Sequence, residues 1–419
     1  MPNIKTKRWK IFAVLSLMYV LAYFYRVSMA VVARDLSIDL GLSAAMVGTL
    51  SGLFFYVYAL VQIPLGPLID RFGGRLVISA CGVLTVAGTL LFAMAHGYGA
   101  VAAGRMLLGI GTACVLMASL KIFGNWFSPH EFATISGFMV AVGNLGNLSA
   151  TAPLAFAVSH LGWRQPFVIM ALVQALATAL VFFTVRDHPP ADAVPEREPL
   201  YEAKPAAVGL VEGWKIVFAS PSFWLLGLLS FFWYGNYMVL QGLWGGPYLM
   251  DAFHFSRQAA GQFLMFTSLG FIAGCIVIGR ISDRILKSRK WTLFFGQLML
   301  LLLMSLPLGP MERIPPQWLG AVFFAIGIAV SSGVTIYPMI KEMFPSSISA
   351  TAMTALNFFV VGGAAVVQQA MGQYIERFPR VGTGYPLEAY HGAFLIPVAG
   401  LAVALCLFLF VRDTVVARR

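Results

Sequence analysis

Charged residues are scarce in this chain of 419 residues. They make up 11% of it, whereas soluble domains carry about 25%. The 4 cysteines all lie inside apolar runs and have no paired spacing, so we expect neither a disulfide framework nor a cysteine-held metal. The sequence contains no Gly-x-x-x-x-Gly-Lys-Ser/Thr motif, and its 6 histidines are scattered. It therefore predicts no nucleotide hydrolysis, no metal site and no cofactor.

Long apolar runs dominate what is present. Apolar residues make up 59% of the chain and occur in uncharged stretches. A helix needs roughly 20 such residues to cross a bilayer, where its backbone must satisfy its own hydrogen bonds. The runs predict an all-α membrane protein with twelve spans, numbered here in chain order: 11–33, 44–65, 76–96, 99–125, 131–157, 166–185, 222–250, 258–280, 291–309, 317–341, 347–374 and 391–411.

Lysine and arginine are distributed unevenly between the two sides of these spans. Of the 28, twenty lie on the side that holds both termini and six on the other, while Arg26 and Arg105 lie inside spans. Because cytoplasmic loops carry the excess of positive charge, we expect both termini in the cytoplasm and a plasma membrane location, the inner membrane of a bacterium. This topology explains the net charge of +11, so the charge does not indicate nucleic-acid binding.

One loop motif occurs twice, about half the chain apart. Residues 66–75 read Gly-x-x-x-Asp-Arg-x-Gly-x-Arg, and residues 279–284 repeat the Gly-x-x-x-Asp-Arg core 213 residues later. Internal duplication is typical of membrane transporters. The repeat predicts six-helix halves at 1–185 and 221–419, joined by a cytoplasmic linker at 186–220 that is rich in proline and charge.

These motifs resemble those of the major facilitator superfamily. The loops at 66–75 and 279–284 are similar to its signature, as are the Arg-x-x-x-Gly of residues 105–109 and the Gly-Trp-Arg of residues 162–164. The resemblance covers the whole chain. It implies two pseudo-symmetric six-helix bundles around a central cavity surrounded by spans one, four, seven and ten. It also implies a secondary transporter that works by alternating access, and not an enzyme.

Arg26 in span one is similar to the arginine that organophosphate/phosphate antiporters and related organic anion symporters place there. Two features depart from those branches. Span seven contains no basic residue, whereas the organophosphate carriers have one. Several proton-coupled symporters have acidic residues at the positions that Tyr25 and Thr112 occupy here. The subfamily therefore stays open between these branches.

The repeated loops are predicted to act in gating. The resemblance implies that Asp70 and Arg71 of the first loop pair with groups at neighbouring helix ends and hold one gate closed. Asp283 and Arg284 of the second loop would do the same in the other half. The alternative is that these charges only mark the membrane surface, which the repetition makes less favourable.

Arg26 is the strongest candidate for substrate contact. Burying an arginine in a bilayer costs at least ~2.5 kcal/mol, so Arg26 should face water or a counter-charge. No Asp or Glu lies inside the predicted spans away from their ends, and a substrate anion could supply that charge. The guanidinium fork suits a carboxylate or phosphate. Arg26 could instead reach the membrane surface or bond to backbone carbonyls. For Arg105, the resemblance implies substrate contact, as in the organic anion carriers, or else proton coupling or a structural bond.

Polar side chains at helical spacing supply the other candidates. Tyr19, Tyr23 and Arg26 share one face of span one, and Tyr237 and Gln241 share one face of span seven. Further candidates for substrate binding are Tyr56 in span two and Asn357 in span eleven. Such residues also bond helix to helix in lipid, which is the alternative for each of them. Glycines at equivalent places in spans five and eleven are expected to allow close helix packing.

Together these features predict transport of a small organic anion, of the carboxylate or phosphate-ester type, across the membrane. The coupled species would be a proton or an exchanged anion, and we expect a monomer in the lipid bilayer. Two alternatives stay open. One is a drug or metabolite efflux antiporter coupled to protons, with an aromatic pocket. The other is a non-transporting membrane sensor that has kept the fold.

Overall fold

The computed structural model describes residues 4–189, 210–345 and 348–413. Within these ranges all regular secondary structure is helical, apart from one bridge between Val381 and Gly384. The α-helices are α1 Ile4–Val27, α2 Met29–Asp39, α3 Ala44–Phe72, α4 Gly74–Ala93, α5 Tyr98–Ala113, α6 Val115–Trp126, α7 Pro129–Ser149, α8 Ala152–Leu161, α9 Arg164–Thr184, α10 Leu210–Ala219, α11 Pro221–Met238, α12 Gly245–Ala252, α13 Arg257–Arg280, α14 Arg289–Met304, α15 Pro316–Ser331, α16 Ile336–Met343, α17 Ser349–Ile375 and α18 Leu387–Phe408.

In the described part of the chain, 11 helical stretches are long and apolar enough to cross a membrane. They coincide with the predicted spans except span five, which the structure builds from α7 and α8. The helices thus agree with the prediction of a twelve-span all-α protein. Residues 190–209 of the predicted linker lie outside the described residues, and α10 follows them.

Several spans are interrupted rather than continuous. Span seven changes to π-helix over Val239–Trp244, and span ten changes to 3₁₀-helix over Ser332–Thr335. A proline follows each break, Pro247 in span seven and Pro338 in span ten. Proline lacks an N–H and its ring clashes with the carbonyl four residues earlier, so the regular ladder cannot continue through it. Spans one and four break without proline, near Ser28 and Cys114.

The chain divides into two compact units. The first comprises Met1–Leu42 and Leu53–Leu200, and the second comprises Ser43–Gly52 and Tyr201–Arg419. In the first, α1 packs on α7 and α9, and α4 packs on α5 and α9. In the second, α11 packs on α17 and α18, and α14 packs on α15 and α18. The helices named for the first unit belong to spans one, three, four, five and six, and those named for the second belong to spans seven, nine, ten, eleven and twelve. Corresponding spans make the same contacts in both units, so the duplication in sequence is also a duplication in packing.

Glycines set the closest contacts in both units. A Cβ added at Gly146 on α7 would lie 2.0 Å from the carbonyl oxygen of Val20 on α1. A Cβ added at Gly363 on α17 would lie 2.0 Å from the carbonyl oxygen of Phe231 on α11. Small residues allow such close approach between helices in lipid. The glycines of spans five and eleven therefore have equivalent roles, as predicted.

Candidate functional site

Arg26 lies on α1 with its guanidinium beside two tyrosine rings. Its Cζ atom is 4.6 Å from the ring centre of Tyr23 and 5.1 Å from that of Tyr58 on α3. Cation–π contacts of this kind stabilise the charge away from bulk water and fix the position of the guanidinium. The two rings therefore hold the cation at a defined place inside the first unit.

The neighbouring turn of α1 orients Tyr23. The hydroxyl of Tyr19 donates to the hydroxyl of Tyr23 at 3.2 Å, and the two rings pack edge to face. A Cβ at Gly143 on α7 would lie 2.5 Å from the Tyr19 ring, so only glycine leaves room for it. The predicted face of span one, with both phenols and Arg26, is thus present and tightly packed.

Arg105 has a different environment on α5. Its Nη1 donates to the carbonyl of Tyr25 at 3.0 Å, and its Cζ lies 4.7 Å from the ring centre of Phe54. Phe54 stacks against Tyr58, with 6.2 Å between ring centres, so aromatic rings of α3 connect Arg105 with Arg26.

Exposure separates the two arginines. Arg105 is 1% exposed and Arg26 is 9% exposed. The hydrogen bond from Arg105 to a carbonyl of α1 fastens two helices of the first unit, which is a structural task. Arg26 contacts the side chains of Tyr23 and Tyr58 and has the greater exposure, which suits contact with an anion better.

The second unit contains the polar residues predicted on span seven. The Gln241 amide, which is fully buried in the π-helical segment, donates to the Ser268 hydroxyl on α13 at 3.0 Å. Tyr237 stacks on Phe271 of α13, with the ring planes 12° apart. Irregular π segments are frequent at functional sites. Both residues thus lie where span seven departs from regular helix and packs on span eight.

The remaining candidates have separate neighbours. Asn357 on α17 accepts a hydrogen bond from the hydroxyl of Tyr337 on α16 at 3.2 Å. Tyr56 on α3 is half-buried, and Tyr58, two residues later, is the side chain beside Arg26. Tyr58 and Tyr337 were missed because neither has a spacing that distinguishes it from packing residues in its span.

The gating candidates are only partly described. The side chains of Asp70, Asp283 and Arg284 lie outside the described residues. Arg71 is exposed at the end of α3, and its Cζ lies 5.3 Å from the ring centre of Phe72. The gating role of these four residues therefore stays a prediction.

Two aspartates that were not predicted accept hydrogen bonds at the starts of the helices that follow the repeated loops, one aspartate for each helix. Asp187 accepts a hydrogen bond from the backbone N–H of Arg75 at 2.9 Å, at the start of α4. Asp413 accepts from the backbone N–H of Lys290 at 3.5 Å and from the Ser288 hydroxyl, at the start of α14. The signal was available, because Val-Arg-Asp ends span six at 185–187 and span twelve at 411–413.

One carboxylate outside the spans has a clear electrostatic partner. Asp39, at the end of α2, accepts hydrogen bonds from Arg164 and from the indole of Trp163. The hydrogen bond from Arg164 holds the pKa of Asp39 below its ordinary value. Arg164 also donates to the carbonyl of Ala95 at 2.9 Å, so it joins three segments of the first unit. In the described residues no three His, Cys, Asp or Glu side chains are grouped as metal ligands would be.

Comparison with known proteins agrees with this architecture. A model of the Major Facilitator Superfamily matches residues 15–368. The chain is 28% identical over 294 residues to a probable sulfoacetate transporter of Cupriavidus necator, which covers 68% of this chain and 67% of that protein. It is 24% identical over 409 residues to a hexuronate transporter of Bacillus subtilis, which covers 94% of this chain and 93% of that protein.

A third relative is a probable L-galactonate transporter of Escherichia coli, 26% identical over 300 residues, or 68% of this chain and 64% of that protein. Among solved structures, a bacterial homologue of the human lysosomal transporter Spinster superposes with a TM-score of 0.78. That alignment covers 99% of this chain and 98% of the other at 20% identity, a likeness of fold alone.

Proposed function

Because the chain belongs to the Major Facilitator Superfamily, we propose that it moves a small organic anion across the membrane by alternating access. It is a transporter and not an enzyme. The sulfoacetate, galactonate and hexuronate named for its relatives are all small organic anions. We propose a hexuronate as the substrate of this chain, with its carboxylate as the group that the protein binds.

The observation that carries this proposal is the position of Arg26. A guanidinium inside a membrane span, held beside two tyrosine rings, offers a charge and a fork of donors to a carboxylate. Arg26 would bind the anionic group, with Tyr23 beside it, and Arg105 on α5 would add a second positive charge in the same unit. Tyr56 in the first unit and Tyr237, Gln241 and Asn357 in the second are the further candidates for substrate contact.

The finer features are proposed on the same basis. The protein would act as a monomer in a plasma membrane, the bacterial inner membrane, with both termini in the cytoplasm. Transport would be coupled to a proton or to an exchanged anion. Asp70, Arg71, Asp283 and Arg284 would hold the cytoplasmic gates during the cycle.

Uptake of radiolabelled galacturonate by proteoliposomes tests the role of Arg26. Loss of a hydrogen-bonded charge pair costs about 1.5–3 kcal/mol, so Arg26→Ala should weaken binding about 10- to 150-fold. Arg26→Lys keeps the charge without the fork and should recover only part of the affinity. Arg34→Lys, eight residues later along the chain, is the matched control and should transport normally.

Undiminished uptake by Arg26→Ala in correctly inserted protein would contradict the proposal. The same vesicles address the alternatives, since a sensor would show no flux. An efflux antiporter would move a hydrophobic drug rather than galacturonate. No contact in the described residues favours either alternative.

A further inference from the structure

A titratable cluster lies in the second unit, away from the residues discussed so far. Glu312 is in the short 3₁₀ segment Pro310–Arg313 between spans nine and ten. Its Oε1 accepts the hydroxyl of Tyr248 on α12 at 2.6 Å and lies 3.0 Å from Nε2 of His391 on α18. One carboxylate oxygen therefore joins the end of span seven, the segment before span ten and the start of span twelve.

The two ionisable side chains are partly buried. The side chain of His391 is 29% exposed and that of Glu312 is 19% exposed. The other carboxylate oxygen, Oε2, is buried and has no hydrogen-bond partner among the described residues. A carboxylate with one oxygen desolvated and unsatisfied gains from a positive charge beside it. Partial exposure of His391 meanwhile leaves a path for protons from water.

Other titratable groups lie on the elements around this pair. The ring of Tyr248 contacts that of Tyr390, whose hydroxyl donates to Asp251 at 2.7 Å. The hydroxyl of Tyr374 on α17 lies beside Gly392. The remaining charged side chains on the same elements are Arg313 and Glu388. Among the described groups at hydrogen-bond distance from Glu312, His391 supplies the only imidazole, and imidazole is the side-chain type that serves proteins as a proton acceptor near neutral pH.

The geometry points to a proton-binding site at Glu312 and His391 that supplies the coupled proton of the proposed transport. The neutral imidazole takes a proton from water and becomes a cation, while Glu312 stays a carboxylate. The net charge of the pair changes from −1 to zero, and a hydrogen bond becomes an ion pair. The coupling of this proton to substrate transport rests on the proposed function, but proton binding by the pair does not.

The connection to transport is the set of elements that the cluster joins. Span seven carries Tyr237 and Gln241, and span ten carries Tyr337, which bonds to Asn357; these are the substrate candidates of the second unit. Proton binding changes how strongly the ends of these spans are held, and so it shifts the equilibrium between the conformations of the transporter. If the proton changes the affinity for substrate by some factor, substrate binding changes the affinity for the proton by the same factor.

A substrate-free measurement tests proton binding. The unfolding temperature of the purified protein is measured between pH 5 and pH 8. Because protonation creates an ion pair, the wild type should gain stability as the pH falls towards 5. Both His391→Gln and Glu312→Gln should lose this gain. Glu388→Gln, at an exposed position three residues before His391, is the matched control and should keep it.

Proteoliposomes then test coupling with labelled galacturonate. Uptake driven by a pH gradient should fall about tenfold or more in His391→Gln and Glu312→Gln, whereas galacturonate counterflow, which needs no net proton movement, should persist. A wild-type stability profile in both variants, or unchanged gradient-driven uptake, would overturn the inference. Equal loss of uptake and counterflow would also overturn it. Absence of counterflow in the wild type would instead count against the proposed substrate, and the stability profile would still decide proton binding.

Discussion

The first turn of α4 takes its cap from a distant part of the chain. The residue before the helix is Gly73, at φ 81°, and it has no side chain to accept the first free N–H groups. Asp187, at the end of span six, accepts the N–H of Arg75 instead. A Cβ at Gly73 would lie 2.7 Å from this carboxylate, so glycine is needed for the sign of φ and for space. The loop signature at 66–75 is therefore completed by an aspartate 112 residues away.

The change Asp187→Ala should destabilise the first turn of α4, and the free energy lost can be worked out from its contacts. A lost cap costs about 0.5–2 kcal/mol, and a lost negative charge at a helix N-terminus costs about 0.3–1 kcal/mol. The sum, about 1–3 kcal/mol, corresponds to about a 5- to 150-fold increase in local opening. The backbone of the segment stays anchored, because Asn125 and Trp126 donate to the carbonyls of Asp187 and Arg186.

The equivalent change in the other half should do less. At the start of α14, Ser288 supplies its own cap by accepting the N–H of Trp291 at 3.0 Å. The bond from Lys290 to Asp413 is longer, at 3.5 Å. Asp413→Ala therefore leaves one cap in place and should raise local opening by less than about fivefold, which is under about 1 kcal/mol.

Hydrogen–deuterium exchange of the purified protein measures both changes. Peptides over residues 74–80 and 289–295 report the first turns of α4 and α14. Asp187→Ala should accelerate exchange in the first peptide only. Asp187→Asn keeps the accepting oxygen and should accelerate it less. Unchanged exchange at α4 in Asp187→Ala would refute the reasoning, as would an equal or larger effect of Asp413→Ala at α14.

Three further predictions concern the first unit. Gly146→Ala should destabilise the protein by about 1–3 kcal/mol in thermal unfolding, because its Cβ would lie 2.0 Å from the Val20 carbonyl; an unchanged transition would contradict this contact. The Asp39 carboxyl has a lowered pKa beside Arg164, so the stability of this pair is present above the ordinary pKa and is lost as the pH falls through the folded value. Asp39→Asn should reduce the loss of unfolding free energy at acid pH by less than about 1 kcal/mol. An acid-unfolding curve identical to that of the wild type would count against the pair. Tyr58→Ala should weaken galacturonate binding about 2- to 30-fold by calorimetry, whereas Tyr58→Phe loses only the hydroxyl that bonds to Arg26, keeps the ring face and should bind better than Tyr58→Ala; equal losses would exclude the cation–π contact.

Much of the fold could be predicted because lipid restricts the possibilities. Apolar runs of helix length must span, and repeated loops must lie at equivalent places, so the spans and the duplication followed from composition and spacing. The division of span five at residues 150–151 was not predicted, although Pro153 marks it. The π and 3₁₀ segments of spans seven and ten were also missed, because a hydropathy pattern does not distinguish one helical period from another over segments of 6 and 4 residues.

The candidate site was predicted less completely. Tyr23 and Arg26 lie together because both are on one helix, where spacing decides the face. Tyr58 was not identified, since only the packing of α3 against α1 selects it over Tyr56. The same holds for Asp187, whose partner is distant in the chain.

The sequence by itself determined the number of spans, the repeated halves and the presence of two arginines inside the membrane. Each of these depends on local properties, such as apolar length, motif spacing or the cost of a charge in lipid. Only the tertiary structure decided that Arg105 donates to a backbone carbonyl while Arg26 lies beside two tyrosine rings. It also placed Glu312 within reach of His391 and capped α4 with Asp187. These contacts join residues far apart in the chain, and no local pattern fixes which distant side chains will meet.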